Sequence, residues 1–157
     1  MSIPQEVIEE IENAGFHGHV TNSAQIFFVA YLSRSTSAVI GTDTKEVFVS
    51  KASLKHIFDQ RDDVAIIFDI PDIVRQPTKI ADNSSKRRRS FLFVKMNGKA
   101  KGVVVEITKT PDQNRVVSAF PIDRKTYKKL KDISGRPDVP PSNVSSVESE
   151  FPLLRNP

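Results

Sequence analysis

The 157-residue sequence contains no cysteine and no tryptophan. Without cysteine the chain has no disulfide, no thiol nucleophile and no thiolate ligand for zinc or an iron–sulfur cluster. It also lacks a glycine-rich phosphate loop, the Gly-x-Ser-x-Gly elbow of hydrolases and a metal motif of paired carboxylates. These absences argue against the common nucleotide-binding, thiol-dependent and serine-hydrolase classes.

Long hydrophobic runs are absent too. The longest apolar stretch runs from Ile26 to Leu32, far below the ~20 residues that a membrane-spanning helix needs. The first ten residues are acidic rather than basic and then apolar, which is not the pattern of a secretory signal. We therefore expect a cytoplasmic protein without a membrane partner.

The net charge of +4 is unevenly distributed along the chain. Residues 1–14 carry a net −4 and residues 137–157 a net −2, which leaves +10 on residues 15–136. The isoelectric point of 9.4 reflects this basic middle. Such a distribution indicates a polyanionic partner, nucleic acid first, although a well-solvated cationic surface would have the same composition.

Hydrophobic periodicity and turn residues predict an α+β domain over residues 1–136. We expect helices near 4–14, 51–60 and 64–74, the second with Leu54, Ile57 and Phe58 on its apolar side. We also expect a short turn or helix at 35–40 ended by Gly41, a short strand at 46–50 and a strand or helix at 24–32. Antiparallel strands follow at 91–96, 103–108 and 115–120, and then a C-terminal helix at 124–133 that is capped by Asp123. The expected architecture is helices packed on one face of a small sheet of about four antiparallel strands. Residues 137–157 hold five of the ten prolines and are expected to form an irregular tail.

The Asn97-Gly98 dipeptide predicts a two-residue hairpin, which pairs Met96 with Lys99 and Leu92 with Val103. In that register one face is almost entirely apolar and should be the core. It carries Leu92, Val94, Met96, Val103, Val105, Ile107, Val117 and Ala119. The other face carries Arg89, Phe91, Phe93, Lys95, Val104, Glu106, Thr108, Val116, Ser118 and Phe120. Arg89, Glu106 and Ser118 then stand opposite one another across neighbouring strands.

A cation, a carboxylate and a hydroxyl in one row are the groups that a phosphodiester site needs. Glu106 can remove a 2′-hydroxyl proton, and Arg89 can neutralise charge developing on phosphorus. The aromatic residues Phe91, Phe93 and Phe120 can stack on bases. The alternative is an ordinary cross-strand ion pair on a solvent-facing sheet.

Other polar residues allow two interpretations each. His56 lies on the polar face of its helix. It can act as a general acid near neutral pH, or it can be an ordinary surface residue. His17 and His19 lack a third ligand at a helpful spacing, so no metal site is expected. The basic run Lys86–Arg89 is typical of a nucleic-acid patch or of a solvated loop, with only Arg89 belonging to the following strand.

The order of these motifs resembles the phage-associated nuclease-like domains of the barnase–EndoU–colicin–RelE group. The resemblance spans residues 45–131. It rests on Val47-Phe48-Val49-Ser50, on Leu54-Lys55-His56-Ile57, on the run from Ile70 to Pro77 with Lys79-Ile80, on Arg89-Ser90-Phe91-Leu92-Phe93-Val94-Lys95, and on Val116-Val117-Ser118-Ala119-Phe120. It implies helices on one face of a four-stranded antiparallel sheet and an active site on the other face. Carried over by position, it implies functional roles for His56, for Arg75 or Lys79, for Arg89 and Lys95, and for Ser118.

The resulting hypothesis is a toxin-like, metal-independent ribonuclease without a cofactor, acting on RNA and paired with a cognate inhibitor protein. Its expected catalytic residues are His56, Arg89, Lys95, Glu106 and Ser118. The expected substrate-binding residues are Arg75, Lys79, Phe91, Phe93 and Phe120. Two alternatives stay open: a non-catalytic RNA- or DNA-binding module that uses the same basic and aromatic face, and a phage-related structural or interaction protein.

Overall fold

The computed structural model describes residues 4–21, 24–61, 65–109 and 112–134, and the structural statements below refer to these ranges. In chain order the elements are α1 (Gln5–Asn13), β1 (His17–Thr21), β2 (Ala24–Tyr31), α2 (Arg34–Ile40), β3 (Glu46–Ser50), α3 (Lys51–Arg61), α4 (Ala65–Arg75), β4 (Lys79–Asp82), β5 (Arg89–Asn97), β6 (Lys99–Lys109), β7 (Asp112–Ile122) and α5 (Arg124–Lys129). The protein is therefore α+β, as predicted. None of these helices is long and apolar enough to cross a membrane. The tail predicted at 137–157 lies outside the described residues.

The sheet is larger than the expected four strands. It has seven, in the order β1-β2-β3-β7-β6-β5-β4. Strands β4 to β7 form an antiparallel meander, and β3 joins β7 in parallel, so the sheet is mixed. The missed strands are short and weakly patterned: β1 reads HGHVT and β4 only KIAD. Neither segment alternates apolar and polar residues long enough to be recognised from the sequence.

One face of the sheet is covered by helices and contains the main hydrophobic core. Alternate residues of the central strands, such as Phe93, Val103 and Val49, are fully buried there. The apolar sides of three helices pack into the same cluster and contribute Ile8, Ile11, Leu54, Ile57, Phe58, Ile66, Ile67, Ile70, Ile73 and Val74. We call this the inner face and the opposite side the outer face.

The outer face is covered at one end by α5. A second cluster of Val94, Ala100 and Ile122 lies there, with Tyr127 and Leu130 of the helix region packed against it. The helix begins at the predicted cap, Asp123, whose carboxylate accepts a hydrogen bond of 2.7 Å from the Thr126 backbone N–H. Shortly after α5 the chain returns to the sheet edge, where the backbone N–H of Ile133 donates to the carbonyl of Ile80 on β4.

The predicted register of the β5–β6 hairpin is wrong by one residue. The strands pair Asn97 with Lys99 and Phe93 with Val103, so Gly98 alone occupies the tip, at φ +79°. A shift of one residue moves every side chain of a strand to the other face. Phe91 and Phe93 therefore lie in the core, and Leu92 and Val94 lie on the outer face.

The face assignment of β6 is confirmed, and that of β7 is confirmed in part. Val103, Val105 and Ile107 are buried on the inner face. On β7 a bulge opposite Val104 and Val105 inserts Val117, so Val116 turns into the core instead of outward. Beyond the bulge the alternation is as predicted, with Ala119 buried in the core and Ser118 and Phe120 half-buried on the outer face.

Candidate nucleic-acid interface

A row of chemically distinct side chains crosses the uncovered end of the outer face. Strand pairing sets Phe28 of β2 opposite Phe48 of β3, and Phe48 beside Arg115 of β7. The row continues with Glu106 of β6 opposite Arg115, and Ser90 of β5 opposite Glu106. We call these five residues the central row. Aromatic side chains stand at one end of it, and a cation and a carboxylate at its middle.

The basic run between β4 and β5 folds back over one end of the central row. The Ser84 hydroxyl accepts a hydrogen bond of 3.1 Å from the Ser90 backbone N–H and donates one of 3.2 Å to the Ser90 carbonyl. The backbone N–H of Ser85 donates to the carbonyl of Arg88 at 2.9 Å. These bonds fix the loop that carries Lys86 and Arg87, so its cations project from a defined turn.

An open groove of about 400 Å³ lies between this loop and β6. Its walls are formed by Ser85, Lys86, Arg87, Arg88, Arg89, Glu106, Ile107 and Thr108. We call it the arginine groove. The basic residues Lys86–Arg89 line the groove from the loop side, and Glu106 lines it from β6. The groove therefore carries a concentrated positive charge with one carboxylate inside it.

Glu106 is the anionic group of the groove. Its Oε2 lies 3.5 Å from Nε of Arg88, and its side chain is 19% exposed while that of Arg88 is 74% exposed. Arg115 stands directly across the strand pair from Glu106, and its Nε donates 2.8 Å to Oε1 of Gln113. The carboxylate is thus sheltered, whereas the Arg88 guanidinium remains accessible to an incoming anion.

Asp82, at the end of β4, supports the same loop. Hydrogen bonds from the side chain and backbone of Ser84 hold the pKa of this carboxyl below its ordinary value, with a smaller contribution from the charge of Arg89. The Ser84 backbone N–H lies 2.8 Å from Oδ1 of Asp82. Asp82 is therefore ionised at neutral pH, and its carboxylate holds Ser84 at the start of the cationic loop.

The predicted row Arg89–Glu106–Ser118 is not formed. Arg89 pairs with Ile107, and its guanidinium donates to the carbonyls of Ile40 and Gly41, at the end of α2. Ser118 stands opposite Val104 instead, because β6 and β7 meet at the pair Lys109–Asp112 and this register sets Arg115 opposite Glu106. Glu106 keeps its predicted face, but its neighbours are Arg88, Arg115 and Ser90. The one-residue shift of the β5–β6 hairpin displaces Arg89, and the register of the β6–β7 turn displaces Ser118.

Lys95 and the aromatic candidates make contacts away from the arginine groove. Nζ of Lys95 lies 2.6 Å from Oδ2 of Asp72 on α4, on the inner side of the sheet. Phe91 and Phe93 are buried in the core at 6% and 0% exposure, so they present no ring to a ligand. Phe120 lies on the outer face but packs against the cluster beneath α5.

The remaining candidates also lie away from the groove. His56 is exposed on α3, a helix of the inner face, so the sheet separates it from Glu106. Arg75 is exposed in the last turn of α4. Nζ of Lys79 donates to the carbonyls of Tyr127 and Leu130, at 3.0 and 3.3 Å, and lies 4.3 Å from the centre of the Tyr127 ring. Lys79 therefore anchors the C-terminal end of α5.

Sequence reasoning missed Arg88 and Arg115 as members of the site. Arg88 belonged to a run for which a nucleic-acid patch and a solvated loop both stayed open, and Arg115 stood at the first position of the strand predicted at 115–120, whereas β7 begins at Asp112. The available signal was the alternation Gln113, Arg115 against Asn114, Val116, which puts Arg115 on a polar face. Among the residues that the structure describes, no group of three histidine, aspartate or glutamate side chains could hold a metal ion.

Comparison of the chain with protein-family models, with curated proteins and with solved structures finds no match. The resemblance to the barnase–EndoU–colicin–RelE group thus stays a hypothesis based on short motifs.

Proposed function

We propose that this protein binds RNA through the arginine groove. The observation that carries the proposal is the combination of Lys86, Arg87 and Arg88 on a hydrogen-bonded loop with the sheltered Glu106 beneath them. Guanidinium groups are suited to phosphate because they donate two parallel hydrogen bonds. The accessible Arg88 supplies such a group at the mouth of the groove.

Glu106 favours RNA over DNA as the ligand. A carboxylate repels phosphate but accepts hydrogen bonds, so beside its ion pair with Arg88 the Glu106 carboxylate can accept from a donor on the ligand. The 2′-hydroxyl of ribose is a donor that DNA lacks, and it is the group by which proteins distinguish the two polymers. Glu106 therefore contributes selectivity, and the surrounding arginines contribute affinity.

The salt dependence of binding tests this proposal. If Lys86, Arg87, Arg88 and Arg115 each neutralise one phosphate, the logarithm of the association constant falls with the logarithm of salt concentration with a slope of about −2.8. Fluorescence anisotropy with a labelled 12-nucleotide RNA, between about 50 and 200 mM salt, should then show an affinity loss of roughly 50-fold. Arg88→Ala and Arg115→Ala should each make the slope shallower by about 0.7.

The matched control is Lys55→Ala, which removes the same charge from the exposed side of α3 on the opposite face. This variant should keep the slope of the wild-type protein. A flat salt dependence, or an equal effect of Lys55→Ala and Arg88→Ala, would contradict groove binding. Equal affinity for RNA and for DNA of the same sequence would contradict the role of Glu106.

A second candidate function is metal-independent cleavage of the bound RNA. The observation that favours it is the carboxylate of Glu106 beside two guanidinium-bearing residues, Arg88 and Arg115. Glu106 would accept the 2′-hydroxyl proton, the 2′-oxygen would attack the adjacent phosphorus, and the 5′-oxygen would leave with a proton from water. The arginines would stabilise the charge on the pentavalent phosphorus. The products would be a 2′,3′-cyclic phosphate and a free 5′-hydroxyl.

Incubation of mixed RNA with the purified protein in EDTA separates the two functions. Cleavage predicts fragments that end in 2′,3′-cyclic phosphate. It also predicts a rate about 10²–10⁴-fold lower for Glu106→Gln, which keeps the size of the side chain but cannot accept the proton. Intact RNA together with salt-dependent binding would identify a binding protein without catalysis.

A further inference from the structure

An aromatic surface adjoins the arginine groove on the outer face. The ring centroids of Phe28 and Tyr31 are 4.9 Å apart with planes inclined at 59°, and those of Phe28 and Phe48 are 6.0 Å apart at 74°. Tyr31 is 62% exposed, which is unusual for so large an apolar side chain in this protein. We call Phe28, Tyr31 and Phe48 the aromatic platform.

The platform and the groove are parts of one continuous surface. Phe28, Phe48, Arg115 and Glu106 occupy successive strands of the central row. With strands about 4.8 Å apart, Phe48 lies two spacings from Glu106, about 10 Å, and Phe28 lies three spacings away, about 14 Å. Arg115 stands between them and can contact a phosphate of a chain that spans both regions. The described helix of this face, α5, packs at the other end, over Val94 and Ala100.

We propose that the aromatic platform stacks unpaired bases of the RNA whose backbone lies in the arginine groove, so that the ligand is single-stranded. This inference rests on the proposed function. A base within a duplex has its faces covered by its neighbours, whereas an unpaired base can lie on an exposed aromatic ring. The charge of the adjoining row decides the occupant, because the excess of cations in the groove and at Arg115 favours an anionic polymer over a purely apolar partner.

Tyr31 is the residue to change, because it is exposed and its removal leaves the core intact. Tyr31→Ala should weaken the binding of a 12-nucleotide single-stranded RNA by about 5- to 150-fold, the range for loss of one stacked base. Tyr31→Phe retains the ring and should bind like the wild-type protein. Neither variant should change the salt slope, since neither alters a charge. A 2-aminopurine in the RNA should lose fluorescence on binding the wild-type protein and regain it with Tyr31→Ala.

Competition with a duplex of the same sequence completes the test, and the single strand should bind at least tenfold more tightly. Steep salt dependence with equal affinity for duplex and single strand, or unchanged binding by Tyr31→Ala, would overturn the stacking inference and leave the groove proposal standing. Absence of salt-dependent RNA binding would overturn both. Sedimentation without RNA adds one more outcome. A dimer that Tyr31→Ala dissociates, with RNA affinity unchanged, would assign the platform to self-association and refute stacking.

Discussion

Asn114 joins the two halves of the sheet, and its substitution gives a sharp prediction of stability. The residue is fully buried on β7, where that strand meets β3 in the parallel pair. Its Nδ2 donates to the carbonyls of Thr44 and Glu46 at 2.9 and 3.0 Å and to Oγ1 of Thr44 at 3.2 Å. One amide group therefore donates hydrogen bonds to three oxygen atoms of the segment that leads from the loop after α2 into β3.

Two substitutions remove this donor in different ways. Asn114→Ala removes the amide donor to the Glu46 carbonyl and one of two donors to the Thr44 carbonyl, which keeps its bond from the Thr42 hydroxyl. It should lower the free energy of unfolding by about 1–3 kcal/mol. Asn114→Asp keeps the shape but turns an acceptor toward three oxygens, so the folded state keeps this carboxyl protonated and its pKa rises above the ordinary ~3.9. Keeping it protonated at pH 7 costs up to about 4 kcal/mol, at 1.36 kcal/mol for each pH unit.

The sign of the pH dependence distinguishes this explanation from a simple packing defect. A raised pKa in the folded state means that the unfolded chain loses the proton first as the pH rises, so the aspartate variant is penalised most at neutral pH. Its deficit relative to the wild-type protein should shrink as the pH falls toward about 4. Asn97→Asp makes the same chemical change at the exposed hairpin tip and should cost at most ~0.5 kcal/mol. Urea unfolding at pH 7 and pH 4.5 measures all four proteins, and a deficit of Asn114→Asp that does not vary with pH would refute the reasoning.

Three further predictions concern residues that anchor the fold. Arg89→Ala should lower the free energy of unfolding, measured in urea, by about 1–2 kcal/mol. The substitution removes the hydrogen bonds that the guanidinium donates to the carbonyls of Ile40 and Gly41 at the end of α2. It should change the salt slope of RNA binding less than Arg88→Ala does. Lys95→Ala should cost at most ~1 kcal/mol, and the cost should fall at high salt, since its half-exposed ion pair with Asp72 is screened. Asp123→Ala should destabilise the protein at neutral pH, because the hydrogen bonds from Thr126 that cap α5 lower the pKa of this carboxyl. That difference from the wild-type protein should disappear as the pH falls below the ordinary carboxyl range, in thermal melts followed by circular dichroism.

Helix ends and helix faces could be predicted from the sequence, because capping residues and the spacing of apolar residues are local signals. The start of α1 after Pro4, the end of α2 at Gly41 with φ +72°, and the cap of α5 at Asp123 were all predicted from residue types with clear backbone preferences. The apolar side of α3, with Leu54 and Ile57, was also predicted, because a helix that packs on one side shows its period in the sequence.

The faces of β5 could not be obtained in the same way, because this strand is buried on both sides. Phe91 and Phe93 fill the main core, and Val94 is equally buried beneath α5. Alternation is then lost, and the register depends on the hairpin tip alone. The candidate site inherited the error through Arg89. The face of Glu106 was predicted correctly because the second half of β6 alternates, with Val105 and Ile107 buried and Glu106 partly exposed. The aromatic platform depends on the pairing of β2 with β3, which no local signal specifies.

Gly102 offers a test of that register by the sign of one substitution. In the predicted two-residue turn it would lie opposite Phe93 on an open face, where Gly102→Val would raise strand propensity and stabilise the protein by up to ~1 kcal/mol. In the structure it lies opposite Val94, and a Cβ there would be 2.6 Å from Cδ1 of Ile122 and 2.9 Å from Cδ1 of Leu92.

Overpacking beneath α5 should therefore make Gly102→Val less stable than the wild-type protein, by about 1–3 kcal/mol in urea unfolding. Adding Ile122→Ala should restore part of the loss, since it removes the colliding atom, and the pair should give a favourable coupling energy in a double-mutant cycle. The same cycle with Phe93→Ala should show no such rescue, because Phe93 lies on the inner face. Stabilisation by Gly102→Val, or rescue by Phe93→Ala instead of Ile122→Ala, would restore the predicted register of β5 and β6 and with it the pairing of Arg89 with Glu106.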